Sequence, residues 1–135
     1  MERNWSEVRR EVKDFVENEV YPAESILEKR DEESTKKLSE LMQLAKDKNL
    51  WALGHPKDIG GQGMPFMEYV YVNEVVGRSS PSMVALGTHS LQDSIMLREF
   101  ASKRWRDTYL EPLVAGEIFP SFAMTEPDIS SSDPT

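Results

Sequence analysis

The sequence predicts an all-helical fold over its first 114 residues. Apolar residues recur at helical spacing in separate segments of the first 114 residues. After Gly116 the pattern gives way to a compact apolar run, Ile118, Phe119, Phe122, Ala123 and Met124, which reads as a short strand. The 135 residues are 39% hydrophobic with three Trp, four Tyr and five Phe, too apolar for a disordered segment.

In chain order, Val8, Val12, Phe15, Val16 and Val20 form one stripe after Trp5, with Arg9, Arg10, Lys13, Asp14 and Glu17 opposite. Asn4 or Ser6 is the candidate cap, and Pro22 should interrupt this helix. The acidic stretch Glu24–Glu33 reads as a solvated surface. A second helix from about Ser34 carries Leu38, Leu41, Met42 and Ala45, and Asn49 is its stop signal. NLWALGHPKDIGGQGMP is a loop, because its Pro and Gly density defeats both helix and strand. A third helix should run from Pro65 to Gly77 with Phe66, Tyr69, Val70, Asn73 and Val76 on one side. Ser79–Ser82 reads as a turn, Met83 to Phe100 as one long, mostly buried helix, and Lys103–Val114 as a last helix made irregular by Pro112. Five or six helices and no sheet are expected before residue 115.

Composition excludes several functions. A net charge of −8 argues against a nucleic-acid-binding face. No apolar run reaches the roughly 20 residues of a membrane span. The absence of Cys removes disulfides, zinc ribbons and a thiol nucleophile. The six acids in the first twenty residues fit neither a secretory signal nor a transit peptide, so the expected location is intracellular: cytoplasmic in a bacterium, mitochondrial or peroxisomal in a eukaryote. His55 and His89 have no carboxylates at metal-ligand spacing. His55, beside Pro56, reads as solvated, and His89 as a satisfied interior histidine. IGGQG lacks the spacing and Lys-Ser/Thr of a phosphate-binding loop, Glu126 and Asp128 read as turn formers, and the serine run lacks the context of a nucleophile. Arg98, Lys103, Arg104 and Arg106 read as a solvated face.

Four pieces in order, VYPAE, NLWALGHPKDIGGQGMP, LEPLVAGEI and FAMTEPD, resemble the N-terminal part of flavin-dependent acyl-CoA dehydrogenases. The form TEPD-x-x-SSD is most similar to the branch of family members 10 and 11. The resemblance covers essentially the whole chain. It implies an all-α N-terminal domain, a small β domain and a C-terminal four-helix bundle; this chain would be a fragment, with the helical domain over 1–117 and the truncated start of the β domain, its first strand included, over 118–135. The implied reaction is α,β-dehydrogenation of an acyl-CoA thioester in fatty acid β-oxidation. A carboxylate takes the α proton and the β hydrogen leaves as hydride to FAD. In the family that carboxylate lies in the C-terminal bundle, so no residue of this chain is assigned as the base. Homodimers or homotetramers, and electron-transfer flavoprotein as acceptor, are also implied. An acyl-CoA oxidase and a non-catalytic helical interaction domain are the alternatives, and the FAMTEPDISSSD run argues against the second.

By the same resemblance, Phe122 opens the flavin-binding strand, Met124 offers backbone groups to the pyrimidine edge of the ring, and Thr125 places its hydroxyl near the reactive side. The family pattern has Gly-Ser-Asp two residues after TEP. Here TEPDISSSD has one residue more and no glycine. Alignment on the final Ser-Asp puts Ser132 at the serine that touches substrate and flavin, and alignment from TEP puts Ser131 there. Ser132 is preferred because Asp133 then matches. The helix from Met83 would border the acyl pocket. Its small residues Ala85, Gly87, Thr88 and Ser90 either leave room for an acyl chain or permit close helix packing.

Overall fold

The structure, a computed structural model, describes residues 3–123, and every regular element among them is helical, with no strand. Helix α1 (Trp5–Phe15) begins at Asn4, whose Oδ1 accepts from the Ser6 amide at 3.2 Å. Its whole predicted stripe is buried and faces α4 (Phe66–Val76). Pro22 was expected to interrupt this helix; the regular α-helix does stop before it, at Phe15, but the helical path continues. The chain widens into a π turn over Val16–Val20, tightens into a 3₁₀ turn over Tyr21–Ala23, and enters α2 (Glu24–Leu27). The same device recurs near the C-terminus. Between α7 (Lys103–Trp105) and α8 (Glu111–Ala115) a π turn spans Arg106–Leu110, and Pro112 follows it by two residues, as Pro22 follows Val20. Proline clashes with the carbonyl four residues back and cannot donate to it. Shifting the preceding turn to wider spacing relieves both problems while the axis continues.

Helix α3 (Glu32–Asp47) is capped by Asp31, whose carboxylate accepts from the Ser34 amide at 2.9 Å. It ends as Asn49 suggested. Asn49 is left-handed at φ 58°, its amide donates to Lys46 O at 2.9 Å, and the Leu50 amide donates to Ala45 O at 2.8 Å. That pair of bonds is a Schellman stop, and Leu50 is buried behind it. The Gly-rich loop then folds back on itself. Gly61 N–H donates to Pro56 O at 3.0 Å, Gly63 to His55 O at 2.8 Å, and Met64 to Leu53 O at 2.9 Å.

Helix α4 corrects the expected face. It is apolar nearly all round, so periodicity does not define its inner side. Val72, Val75 and Val76 are buried, while Phe66, Val70 and Asn73 lie outside. The long helix expected over Met83–Phe100 is broken. Helix α5 (Ser80–Ala85) already occupies the expected turn, Gly87 is left-handed at φ 69°, a 3₁₀ turn spans Thr88–Ser90, and α6 (Leu91–Phe100) follows. Nor is α6 mostly buried: Ile95, Met96 and Phe100 face outward. The core joins α1 and its π turn to α3, α4, α5 and the loop, around Val12, Phe15, Leu41, Leu53, Val75 and Leu86.

Candidate functional site

The candidate site is the side of the bundle where α5, the Gly87 corner and the chain's exit from α8 meet. The exit begins at Gly116, left-handed at φ 75°. Gly116 N–H donates to Leu113 O at 3.1 Å and Glu117 N–H to Pro112 O at 2.9 Å, a second Schellman stop. From there the described chain runs without regular structure to Ala123. The Phe119 ring lies 5.4 Å from the His89 ring, tilted by 32°, so the exit segment rests on the corner. Beside it, α2, α3 and α5 enclose an open groove of about 670 Å³ lined by Leu27, Leu38, Met42, Val84 and Phe119, with Arg78 among its charged residues.

Of the residues assigned by motif, only Phe122 is described. It is 70% exposed, with its ring free of the bundle. Met124, Thr125, Ser131 and Ser132 lie outside the described residues. The short strand expected on the run from Ile118 to Met124 is not formed in its described part, 118–123, which has no regular structure, and Met124 lies outside the described residues.

Two open readings of single residues are resolved by burial. Ala85, Gly87, Thr88 and Ser90 are all buried within the bundle, so packing accounts for their small size, and the apolar groove is formed by larger neighbours. His55 is the reverse of the solvated histidine expected from its loop. It is 1% exposed, and its Nε2 lies 3.0 Å from Ser90 Oγ. Burial, with the nearby His89, lowers its pKa to about 4. His89 is half-buried in the 3₁₀ turn, and burial lowers its pKa as well. The basic face carries its own counter-charges: Arg98 pairs with Asp58 at 2.6 Å and Lys103 with Asp107 at 2.5 Å. The Arg98 guanidinium beside Asp58 holds that carboxyl below its usual range. No helix among the described residues is long and apolar enough to cross a membrane.

Sequence reasoning missed Trp51 and Lys46. Trp51 Nε1 donates to Val114 O at 2.8 Å, Lys46 Nζ donates to Ala115 O at 2.8 Å, and the Lys46 ammonium sits 4.7 Å from the centre of the Trp51 ring. The signal available was position alone: both residues flank the Asn49 stop.

An all-helical domain with an exposed aromatic exit toward a further segment is the class these features define. A family model described as "Acyl-CoA dehydrogenase, N-terminal domain" matches residues 4–117, and the chain belongs to that family. It is 31% identical over 144 residues to acyl-CoA dehydrogenase family member 11 of Gallus gallus, covering 98% of this chain and 18% of the relative. It is 27% identical over 125 residues to an acyl-CoA dehydrogenase of Bacillus subtilis, covering 92% of this chain and 32% of that protein. A solved structure from Mycobacterium abscessus, assigned by its description to the acyl-CoA dehydrogenases, superposes with a TM-score of 0.81 at 28% identity over 96% of this chain and 36% of the other. The chain thus spans between about a fifth and a third of the length of these relatives.

Proposed function

We propose that residues 1–117 are the N-terminal helical domain, and 118–135 the start of the β domain, of a flavin-dependent acyl-CoA dehydrogenase that performs α,β-dehydrogenation of acyl-CoA thioesters. The observation that carries this reading is the juxtaposition at the exit. Phe119 lines a groove together with Leu27, Leu38, Met42 and Val84 and, four residues on, the sequence enters AMTEP. An acyl chain suits such a groove and a flavin suits the motif, and one segment serves both. FAD, when bound, supplies the hydride acceptor. Within this chain, Phe122 would flank the ring, Met124 would hold its pyrimidine edge through the backbone, and Thr125 would offer a hydroxyl where negative charge develops on reduction. Ser132, or Ser131 in the other register, would orient substrate against the ring. The proton-abstracting carboxylate, the dimer or tetramer contacts and the surface for electron-transfer flavoprotein belong in this reading to the remainder of a longer polypeptide.

The test is the complete polypeptide, purified and mixed anaerobically with acyl-CoA thioesters. Flavin absorbance that bleaches on mixing is the expected result. A complete polypeptide that carries no flavin, or whose flavin no thioester reduces, overturns the reading. Thr125→Ala should slow flavin reduction and loosen FAD, whereas Ser132→Ala should act mainly on substrate and flavin placement. An unchanged reduction rate and flavin content in Thr125→Ala would remove the role given to that hydroxyl.

A further inference from the structure

A helix leaves its last four carbonyls without intrahelical donors. At the end of α8 all four are satisfied, and two of the donors come from far away in sequence. Pro112 O and Leu113 O are taken by the Schellman amides of Glu117 and Gly116. Val114 O is taken by Trp51 Nε1 and Ala115 O by Lys46 Nζ. The Trp51 ring is itself wedged between two left-handed glycines. A Cβ on Gly87 would lie 2.7 Å from the ring, and a Cβ on Gly116 would also lie 2.7 Å from it. No side chain larger than hydrogen fits at either place without moving the indole. Trp51 therefore gauges the separation between the α5–α6 corner, which bears His89, and the point where the chain leaves the helical domain. The exit segment is then tethered a second time, at Phe119, by the His89 ring of that same corner.

We propose that Trp51, assisted by Lys46, is a positioning residue for the cofactor-binding segment: it fixes the height and direction in which the chain leaves α8, and so where Phe122 and the residues after it meet the flavin. The proposal rests on the flavin reading given above. Five residues lie between Gly116 and Phe122, a reach of about 20 Å at most when extended, and the Phe119 ring against His89 holds the middle of that stretch, so a shift at the helix end is carried toward Phe122. Trp51 touches no reacting atom in this scheme and acts through the backbone of α8.

The experiment uses the complete polypeptide with Trp51→Phe, which keeps an aromatic ring between the glycines and removes the N–H. Lys46→Met, at an exposed position, keeps the stem and removes the ammonium. Far-ultraviolet circular dichroism and a thermal melt report the fold. Flavin fluorescence reports the FAD dissociation constant, and visible circular dichroism of bound flavin reports how the ring is held. The expected result for Trp51→Phe is a rise of about three- to tenfold in the FAD dissociation constant, the scale of one net hydrogen bond. A changed visible dichroism, and a fall in kcat with little change in KM, should accompany it. Lys46→Met should move the same readouts in the same direction by less. Folded variants whose FAD constant and visible dichroism match the wild type overturn the proposal, even if their melting temperature falls, because that pattern is a packing role only. If Trp51→Phe does not fold, Lys46→Met decides between the same two outcomes. A wild-type polypeptide without flavin overturns the underlying reading and this proposal together, and is distinguishable because it precedes any substitution.

Discussion

Ser90 Oγ lies within 3.3 Å of the Gly87 carbonyl, to which it directs its proton, so it meets His55 Nε2 as an acceptor. His55 Nδ1 is buried with no partner among the described residues, so the neutral ring is best satisfied with its proton on Nε2 and a lone pair on Nδ1. Protonation would bury a charge and an unpaired donor together, and this is the physical content of a pKa lowered to about 4. The sign of the pH dependence follows. Above the ordinary value of 6.5 both folded and unfolded chains carry neutral His55. As pH falls from there toward about 4, the unfolded chain takes up the proton first and the fold loses stability. The loss is on the order of 3 kcal/mol across that window. Thermal melts of the chain from pH 7 to 4.5 should show the decline. His55→Leu should flatten it, leaving the smaller slope due to His89, and parallel slopes in the two proteins would refute the assignment. The loop was legible as a loop, but its depth was not. Glycine and proline density marks where a chain turns, whereas His55 is buried by a partner 35 residues away and by a left-handed Ala52 that composition does not announce. Close backbone contact adds to this. A Cβ on Gly61 would lie 2.1 Å from the His55 carbonyl oxygen, so Gly61→Ala should cost about 3 kcal/mol by overpacking, read as a lower denaturant midpoint.

The helices were legible where one face was plainly polar, as in α1 and α3, and illegible where apolar residues surround the axis. In α4 the expected face held for Tyr69, which packs against the core, and for the buried Val76, but the sequence offers Phe66 and Val70 as readily as Val72 and Val75, and only the packing of α1 selects the latter. The break between α5 and α6 is a different failure. Gly87 sits inside an unbroken apolar pattern, and one isolated glycine there reads as tolerated. Its necessity comes from the Trp51 ring across the bundle. Gly87→Ala combines a left-handed alanine with a clash on that ring, and should destabilise by about 2 kcal/mol or more. Asp31→Ala removes a single cap and should cost about 1 kcal/mol, while leaving the corner intact. Chemical denaturation of the two variants should show this order, and a Gly87→Ala loss below that of Asp31→Ala would argue that the corner relaxes freely. The prolines at 22 and 112 were expected to interrupt or disturb their helices, yet a wider turn before each preserves the axis, a solution that helical periodicity does not encode.

At the scale of the molecule, large apolar side chains are left in water on several faces. Phe66, Met67, Val70 and Tyr71 lie together on α4, Ile95, Met96 and Phe100 on α6, and Trp105 stacks on Tyr109 with ring centroids 5.0 Å apart. Phe100 is 85% exposed and Phe66 76%. Surfaces of this kind associate unless something covers them. Sedimentation of the 135-residue chain should therefore show self-association. Phe66→Lys combined with Phe100→Glu should reduce it without lowering the melting temperature, since neither side chain belongs to the core, and a clean monomer before substitution would contradict the prediction. The family and the fold class were legible from punctuation spread over the whole chain. How the helical domain would meet a cofactor was not, because the motif residues proposed to meet the flavin stand after the last helix. That separation sets the final expectation. Contacts available to FAD from this chain alone are an exposed Phe122 and the few hydrogen bonds the motif would supply, each worth roughly 0.5–1.5 kcal/mol net of water. Binding costs an estimated 4 to 15 kcal/mol or more in lost translational and rotational freedom, which two or three such bonds do not offset. The 135-residue chain should hold no FAD at micromolar concentration, whereas the complete polypeptide should hold it tightly. Fluorescence quenching on titration of FAD into each measures both. Stoichiometric binding by the short chain would show that the helical domain and its exit segment already form most of the site.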